Sequence, residues 1–327
     1  MTPNETPSKF ERQLDARHMQ IFEALAAQSA PHWWQDLLSL WCPSGVEAGD
    51  FGLRLAIRNG YLNFYRLGQS IARVEIDSKG PMATTHIKYV CDEQDQSVGS
   101  EYVTLRDDWI LRAGKEWRPY RGLDHVKKWI HTVNNKPKPN DKDGYAGKEK
   151  IFVDEIVAAN PNIIDLEMGL PAWREPKRAL RIDLVEIAAA SAGCSVVFWE
   201  AKLTSDGRMR SSEEVVMGKK PEVLQQLADY REYLSAEERG QWVIDAYKNT
   251  AVLLKRFRIM AGIQNLGAAI EDVACGNALE LDREPRLIVQ KCEKLADWDK
   301  HERKLRATRV SMQVIEIGGP FKLRAPT

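Results

Sequence analysis

Three ionisable residues sit inside two otherwise apolar strand-like runs, and this constrains the chain more than any other feature. The runs read Arg181-Ile182-Asp183-Leu184-Val185 and Val197-Phe198-Trp199-Glu200-Ala201-Lys202. A charge in the middle of an apolar strand is costly unless it has a partner or a task. Side chains alternate along a strand, so Glu200 and Lys202 share a face while Ala201 points to the other. Between the runs lies the turn-like sequence Ala190-Ser191-Ala192-Gly193. A hairpin centred between Ser191 and Ala192 sets Asp183 opposite Glu200, whereas a slip of one residue turns one carboxylate away.

Two carboxylates side by side repel unless a cation lies between them. A hard divalent ion such as Mg²⁺ takes oxygen ligands, and Asp183, Glu200 and the backbone carbonyl of Ala201 supply three. Lys202, on the same face, is placed to orient or deprotonate an attacking water. Such a set is enough chemistry for phosphodiester hydrolysis. The competing reading is a buried salt-bridge cluster without chemistry.

The remaining periodicities predict an N-terminal α+β domain over 1–135, a linker at 136–147 rich in Asn, Lys, Pro, Asp and Gly, and an α/β domain over 148–327. In the first part, helical sequence runs from Phe10 to Trp41. An antiparallel meander follows, with Asn59-Gly60 as a two-residue turn, further strands at 84–90 and 102–105, and a helix at 123–132. In the second part the order is helix (149–159), strands (179–189, 196–203), helices (221–234, 236–263), strand (286–290), helix (296–307) and strand (311–317). This order predicts a sandwich on a mixed sheet.

Composition narrows the function classes. Lys and Arg total 47, as do Asp and Glu, so bulk positive charge does not hold nucleic acid here. Local groups must do so: Arg54, Arg58 and Arg73 in the meander; Arg208, Arg210, Lys219 and Lys220 after the second charged strand; Lys248, Lys255, Arg256 and Arg258; and Lys300, Arg303, Lys304, Arg306 and Arg309. For the meander and the two later groups a solvated polar face is the ordinary explanation; the loop also carries Asp206, Glu213 and Glu214, and its position next to the site matters more than its net charge. The cysteines at 42, 91, 194, 275 and 292 are scattered without a C-x-x-C pair, which fits a reducing cytoplasm. The histidines lack metal-ligand spacing. No apolar run approaches the roughly 18 residues of a membrane span.

Asp183, followed on the next strand by Glu200-Ala201-Lys202, resembles the D…ExK signature of the PD-(D/E)XK nuclease superfamily, although Ile182 rather than Pro precedes Asp183. The resemblance covers roughly 148–240. It implies a restriction-endonuclease-like αβββαβ core, for which no third strand is evident between Glu200 and Gln226. It implies that Glu155, on the helix upstream, is the acid that assists the metal site. It also implies that Gln226 and Tyr230, one helical turn apart, are the Q-x-x-x-Y element facing that site. The implied protein is a Mg²⁺-dependent nuclease acting on DNA first, with RNA open, in restriction, repair or defence. A double-strand cut calls for a homodimer. The alternative is a catalytically inactive nucleic-acid-binding or scaffold protein that keeps the fold.

Overall fold

The computed structural model describes residues 8–91, 101–135, 145–174, 180–191, 193–210, 221–292 and 297–324. The chain begins with α1 (Ala16–Ala27) and α2 (Trp33–Ser39). Seven strands then pair in chain order, each antiparallel to the next: β1 (Arg54–Ile57), β2 (Tyr61–Arg66), β3 (Gln69–Asp77), β4 (Gly80–His86), β5 (Tyr102–Arg106), β6 (Trp109–Arg112) and β7 (Lys115–Pro119). The helices α3 (Ile87–Val90) and α4 (Leu123–Asn135) belong to this half. The run at 84–90 is therefore strand only to His86. There the imidazole Nδ1 accepts from the Lys88 amide at 3.1 Å, capping α3 and turning the chain out of the sheet.

The second half opens with α5 (Tyr145–Ala159) and three antiparallel strands, β8 (Ile163–Gly169), β9 (Arg181–Ala190) and β10 (Gly193–Leu203). The helices α6 (Glu222–Ser235), α7 (Glu237–Met260) and α8 (Ala268–Ala274) lead to β11 (Leu279–Leu281), β12 (Arg286–Gln290), α9 (Trp298–Ala307) and β13 (Met312–Ile315). The sheet order is β13-β12-β10-β9-β8, with β12 parallel to both β10 and β13, and β11 parallel to the start of β10. The protein is thus mixed α/β with two sheets. The stretch 136–144 of the expected linker lies outside the described residues, and α5 already begins at Tyr145.

β10 sorts its neighbours by parity, as a strand buried on both faces must. Cys194, Val196 and Phe198 pack in the cluster shared with α6, α7 and α8, whereas Val197, Trp199, Ala201 and Leu203 pack with Phe152 and Ile156 of α5. The first cluster continues into the N-terminal half. Trp34 touches Phe22 of α1, Phe64 of β2 and Phe257 of α7.

Ion pairs join the same halves. Arg58, at the β1–β2 turn, donates to Asp165 of β8 at 2.6 Å, and Arg12 Nε reaches the other carboxylate oxygen at 3.4 Å. The Tyr247 hydroxyl of α7 and the Leu166 amide complete the shell of Asp165 at 3.2 and 2.8 Å. Arg54 is likewise buried and pairs with Asp154 of α5 at 3.0 Å. These two arginines are internal bolts rather than a surface for nucleic acid. Arg73 stays exposed, stacked 4.0 Å over the Tyr61 ring. Among the described residues no helix is long and apolar enough to cross a membrane.

Candidate active site

β9 and β10 form a hairpin whose ladder runs from Gly193↔Ala190 to Trp199↔Leu184, so its next step places Glu200 opposite Asp183. Gly193 fixes this register from the far end. Its φ of 142° and the close carbonyl of Ala278, 2.7 Å from where a Cβ would stand, leave room only for glycine. Pairing stops one step short of the two carboxylates. There Asp183 Oδ2 itself accepts from the Ala201 amide at 2.8 Å, while β10 continues against β12.

The side chains meet at the Lys202 ammonium. Its Nζ lies 2.5 Å from Glu200 Oε1, 2.8 Å from the Ala201 carbonyl oxygen and 3.5 Å from Asp183 Oδ2. The three oxygens expected to hold a cation therefore do converge on one, and that cation is the chain's own lysine. Glu200 and Lys202 are almost fully buried, whereas Asp183 keeps 17% of its side-chain surface.

On α6 the buried positions Val223, Leu227, Tyr230 and Leu234 follow a helical stripe, which turns Tyr230 onto the sheet. The Tyr230 hydroxyl accepts from Gln226 Nε2 at 2.8 Å. It has one proton for two acceptors, the Arg181 carbonyl and Glu200 Oε2 at 3.2 Å. Tyr230 thus touches the cluster directly, and Gln226 acts through it.

Glu155 is not brought to the cluster; the charge that acts on it is that of Asp154 beside it. The helix acid facing the site is Glu149. It lies one turn before Phe152 on the stripe that α5 presents to the sheet, so extending that stripe backwards would have found it. β8 supplies a further carboxylate, Glu167, in line with Asp183 between the pairs Leu166↔Leu184 and Met168↔Ile182. Its backbone is left-handed, with φ of 51°, and its Oε2 lies 3.2 Å from Arg181 Nη1. The sequence reading named neither acid.

Charge in this pocket is unbalanced. Burial raises the Glu200 pKa and Asp183 raises it further, against Lys202 and Tyr230. Glu149 and Glu167 are also raised by burial, with Asp183 again pushing upwards. Burial works against the Lys202 ammonium, but Asp183, Glu200 and Glu149 outweigh it and hold its pKa above the usual lysine value. The acids thus shift upwards chiefly because they are buried, and the lysine because carboxylates surround it.

Of the other basic residues, Arg256 pairs with Glu23 of α1 at 2.6 Å and Arg258 with Glu271 of α8 at 3.2 Å, so both fasten helices together. Lys219 and Lys220 lie outside the described residues. No family model matches the chain, no curated protein matches it, and no solved structure matches its fold.

Proposed function

We propose that this protein is a metal-dependent nuclease that hydrolyses phosphodiester bonds, with DNA as the first candidate substrate. The observation that carries the reading is the convergence of Asp183 Oδ2, Glu200 Oε1 and Ala201 O on a single cationic position. These are hard oxygen donors, and they fit Mg²⁺ or Mn²⁺ held by Asp183, Glu200 and the Ala201 carbonyl. The elements α5, β8, β9, β10 and α6, followed after α7, α8 and β11 by β12, support a restriction-endonuclease-like core, because with those three set aside they form an αβββαβ succession. The third strand is β8, upstream of Asp183 rather than downstream of Glu200.

A bound divalent ion would polarise the scissile phosphate and acidify a water. The chain's own groups do the rest. The Ala201 amide holds Asp183, and Tyr230 braces the outer oxygen of Glu200, so both carboxylates are held in place, while a metal at that position would displace the Lys202 ammonium. An ammonium has three donors and no acceptor, so Lys202, in its charged form, orients the water or neutralises the phosphate rather than taking a proton.

A second reading, a catalytically inactive nucleic-acid-binding or scaffold protein, is favoured by a different observation. Among the described residues no group of three or more His, Cys, Asp or Glu is arranged to hold a metal. One experiment separates the two. Supercoiled, linear and single-stranded DNA, and RNA, are incubated with the protein in Mg²⁺, Mn²⁺ or EDTA, alongside Asp183→Ala and Lys202→Ala. The nuclease reading expects metal-dependent cleavage by the wild type alone. Cleavage that survives in EDTA or in either variant refutes it, and binding without cleavage in every condition selects the second reading.

A further inference from the structure

β9 brings a second charged residue to the site. Arg181 stands two positions before Asp183, about 6.6–6.8 Å along the strand, with the buried Ile182 between them. Alternation sends the side chains of Arg181 and Asp183 off the same face. Their exposures differ: Asp183 keeps 17% of its side-chain surface and Arg181 keeps 69%. The backbone of Arg181 belongs to the cluster, because its carbonyl lies against the Tyr230 hydroxyl, which is also 3.2 Å from Glu200 Oε2.

The guanidinium is held from one side. Glu167, in line with Asp183 on β8, reaches diagonally across the strands, and its Oε2 lies 3.2 Å from Arg181 Nη1. The β2–β3 turn of the N-terminal half lies against the other oxygen: a Cβ at Gly68 would stand 3.2 Å from Glu167 Oε1. A guanidinium has five donors in a planar fork, and this contact uses only the Nη1 end. Among the described residues, Nε and Nη2 of Arg181 have no acceptor. An ion pair this open to water contributes little to stability.

Two other cations at the cluster are committed. Lys202 is 1% exposed at the side chain and contacts Glu200 and Asp183. Arg208 turns Nε and Nη2 onto Asp206 Oδ2 at 3.0 and 2.6 Å. A phosphodiester approaching Asp183, Glu200 and Glu167 meets charge of its own sign and needs a cation it can reach. Arg181 offers one.

We propose that Arg181 is a substrate-binding residue whose Nε and Nη2 grip a backbone phosphate next to the linkage held at the Asp183–Glu200–Lys202 cluster, with Glu167 positioning the guanidinium. The contact rests on the reading of the cluster as a phosphodiesterase site and deepens it by naming a group that touches the substrate. A fork matches two phosphate oxygens, whereas an ammonium is a point charge. Lysine at this position keeps the charge and loses the geometry.

The test measures binding in EDTA, where no cleavage interferes. Anisotropy of labelled duplex and single-stranded DNA is followed across a salt series. Arg181→Ala is expected to lower the slope of log K against log salt by about 0.9 on duplex and about 0.7 on single strands. Arg181→Lys keeps the wild-type slope but binds more weakly at every salt concentration. Arg112→Ala, which removes a comparably open pair with Glu101 from β6, leaves the slope at its wild-type value. An unchanged slope in Arg181→Ala, or an equal loss from Arg112→Ala, overturns the contact alone. An Arg181→Lys variant that binds as tightly as the wild type overturns the grip on two oxygens. Cleavage in Mg²⁺ without salt-dependent binding in EDTA overturns the contact and leaves the nuclease reading standing. A wild type that neither binds nor cleaves overturns both. The expected slopes without cleavage in metal support the contact and sink only the catalytic reading.

Discussion

Asp165→Asn tests how the two halves are joined. The substitution keeps the shape of a side chain that is 1% exposed and removes its charge. Arg58 and Arg12, each 7% exposed at the side chain, then lose the anion that justified burying them. Arg58 retains neutral acceptors, the carbonyls of Ile57 and Leu166 and the Tyr65 hydroxyl, so its donors stay occupied while its charge is uncompensated. Removing one partner of a buried pair costs about 3–5 kcal/mol. An unfolding entropy of about 2.1 cal/mol/K per residue over 327 residues makes about 0.7 kcal/mol per degree, so the melting midpoint should fall by about 4–7 °C. Urea denaturation followed by both far-ultraviolet circular dichroism and tryptophan fluorescence is the assay. Arg58→Met in the same chain should return part of the loss, because the uncompensated charge is then gone. A loss under about 1 kcal/mol, or a double variant as weak as the sum of the singles, would refute the claim that this buried charge network joins the halves.

Two further outcomes are expected. On the proposed nuclease reading, Glu149→Gln should weaken Mg²⁺-dependent cleavage by about tenfold or more, read as a rise in the Mg²⁺ concentration needed, while Glu155→Gln leaves it unchanged; the reverse order would return the helix acid to Glu155. At the start of α2, His32 Nδ1 accepts from the Trp34 amide at 3.1 Å, and burial lowers its pKa below 6.5 against the pull of Asp107, Asp108 and Asp36. The unfolded chain then binds the proton more readily, so this cap's stability is complete above pH 6.5 and is lost as pH falls towards the folded value. Melting curves of the wild type and His32→Asn, which keeps a cap without titrating, should diverge on acidification; parallel curves count against the assignment.

The hairpin at the centre of the site was legible because everything that sets it is local. The turn residues, the alternation and the glycine lie within a few positions of one another, and the ladder runs in the register that places Asp183 beside Glu200. β8 was not legible for the opposite reason. Asp165 and Glu167 interrupt its apolar residues, and the partner that makes Asp165 a core residue is 107 positions away. The left-handed backbone at Glu167 further breaks the alternation a strand would display. The basic residues at 54 and 58 looked like a polar sheet face because sequence reveals a charge but not the acid that will bury it. Glu149 and Glu155 lie on the same helix, and only the packed stripe through Phe152 and Ile156 tells them apart.

The shell of Asp165 also sets the order in which the chain can fold. Its partners Arg12, Arg58 and Tyr247 stand 153, 107 and 82 residues away along the sequence. Each closure costs loop entropy before any burial rewards it, and such distant pairings slow folding. During synthesis the arginines emerge long before the carboxylate, and the tyrosine long after both. Until Asp165 arrives, Arg12 and Arg58 lack the carboxylate that neutralises them in the folded protein. The first half of this protein thus depends on the second for the neutralisation of its buried charge.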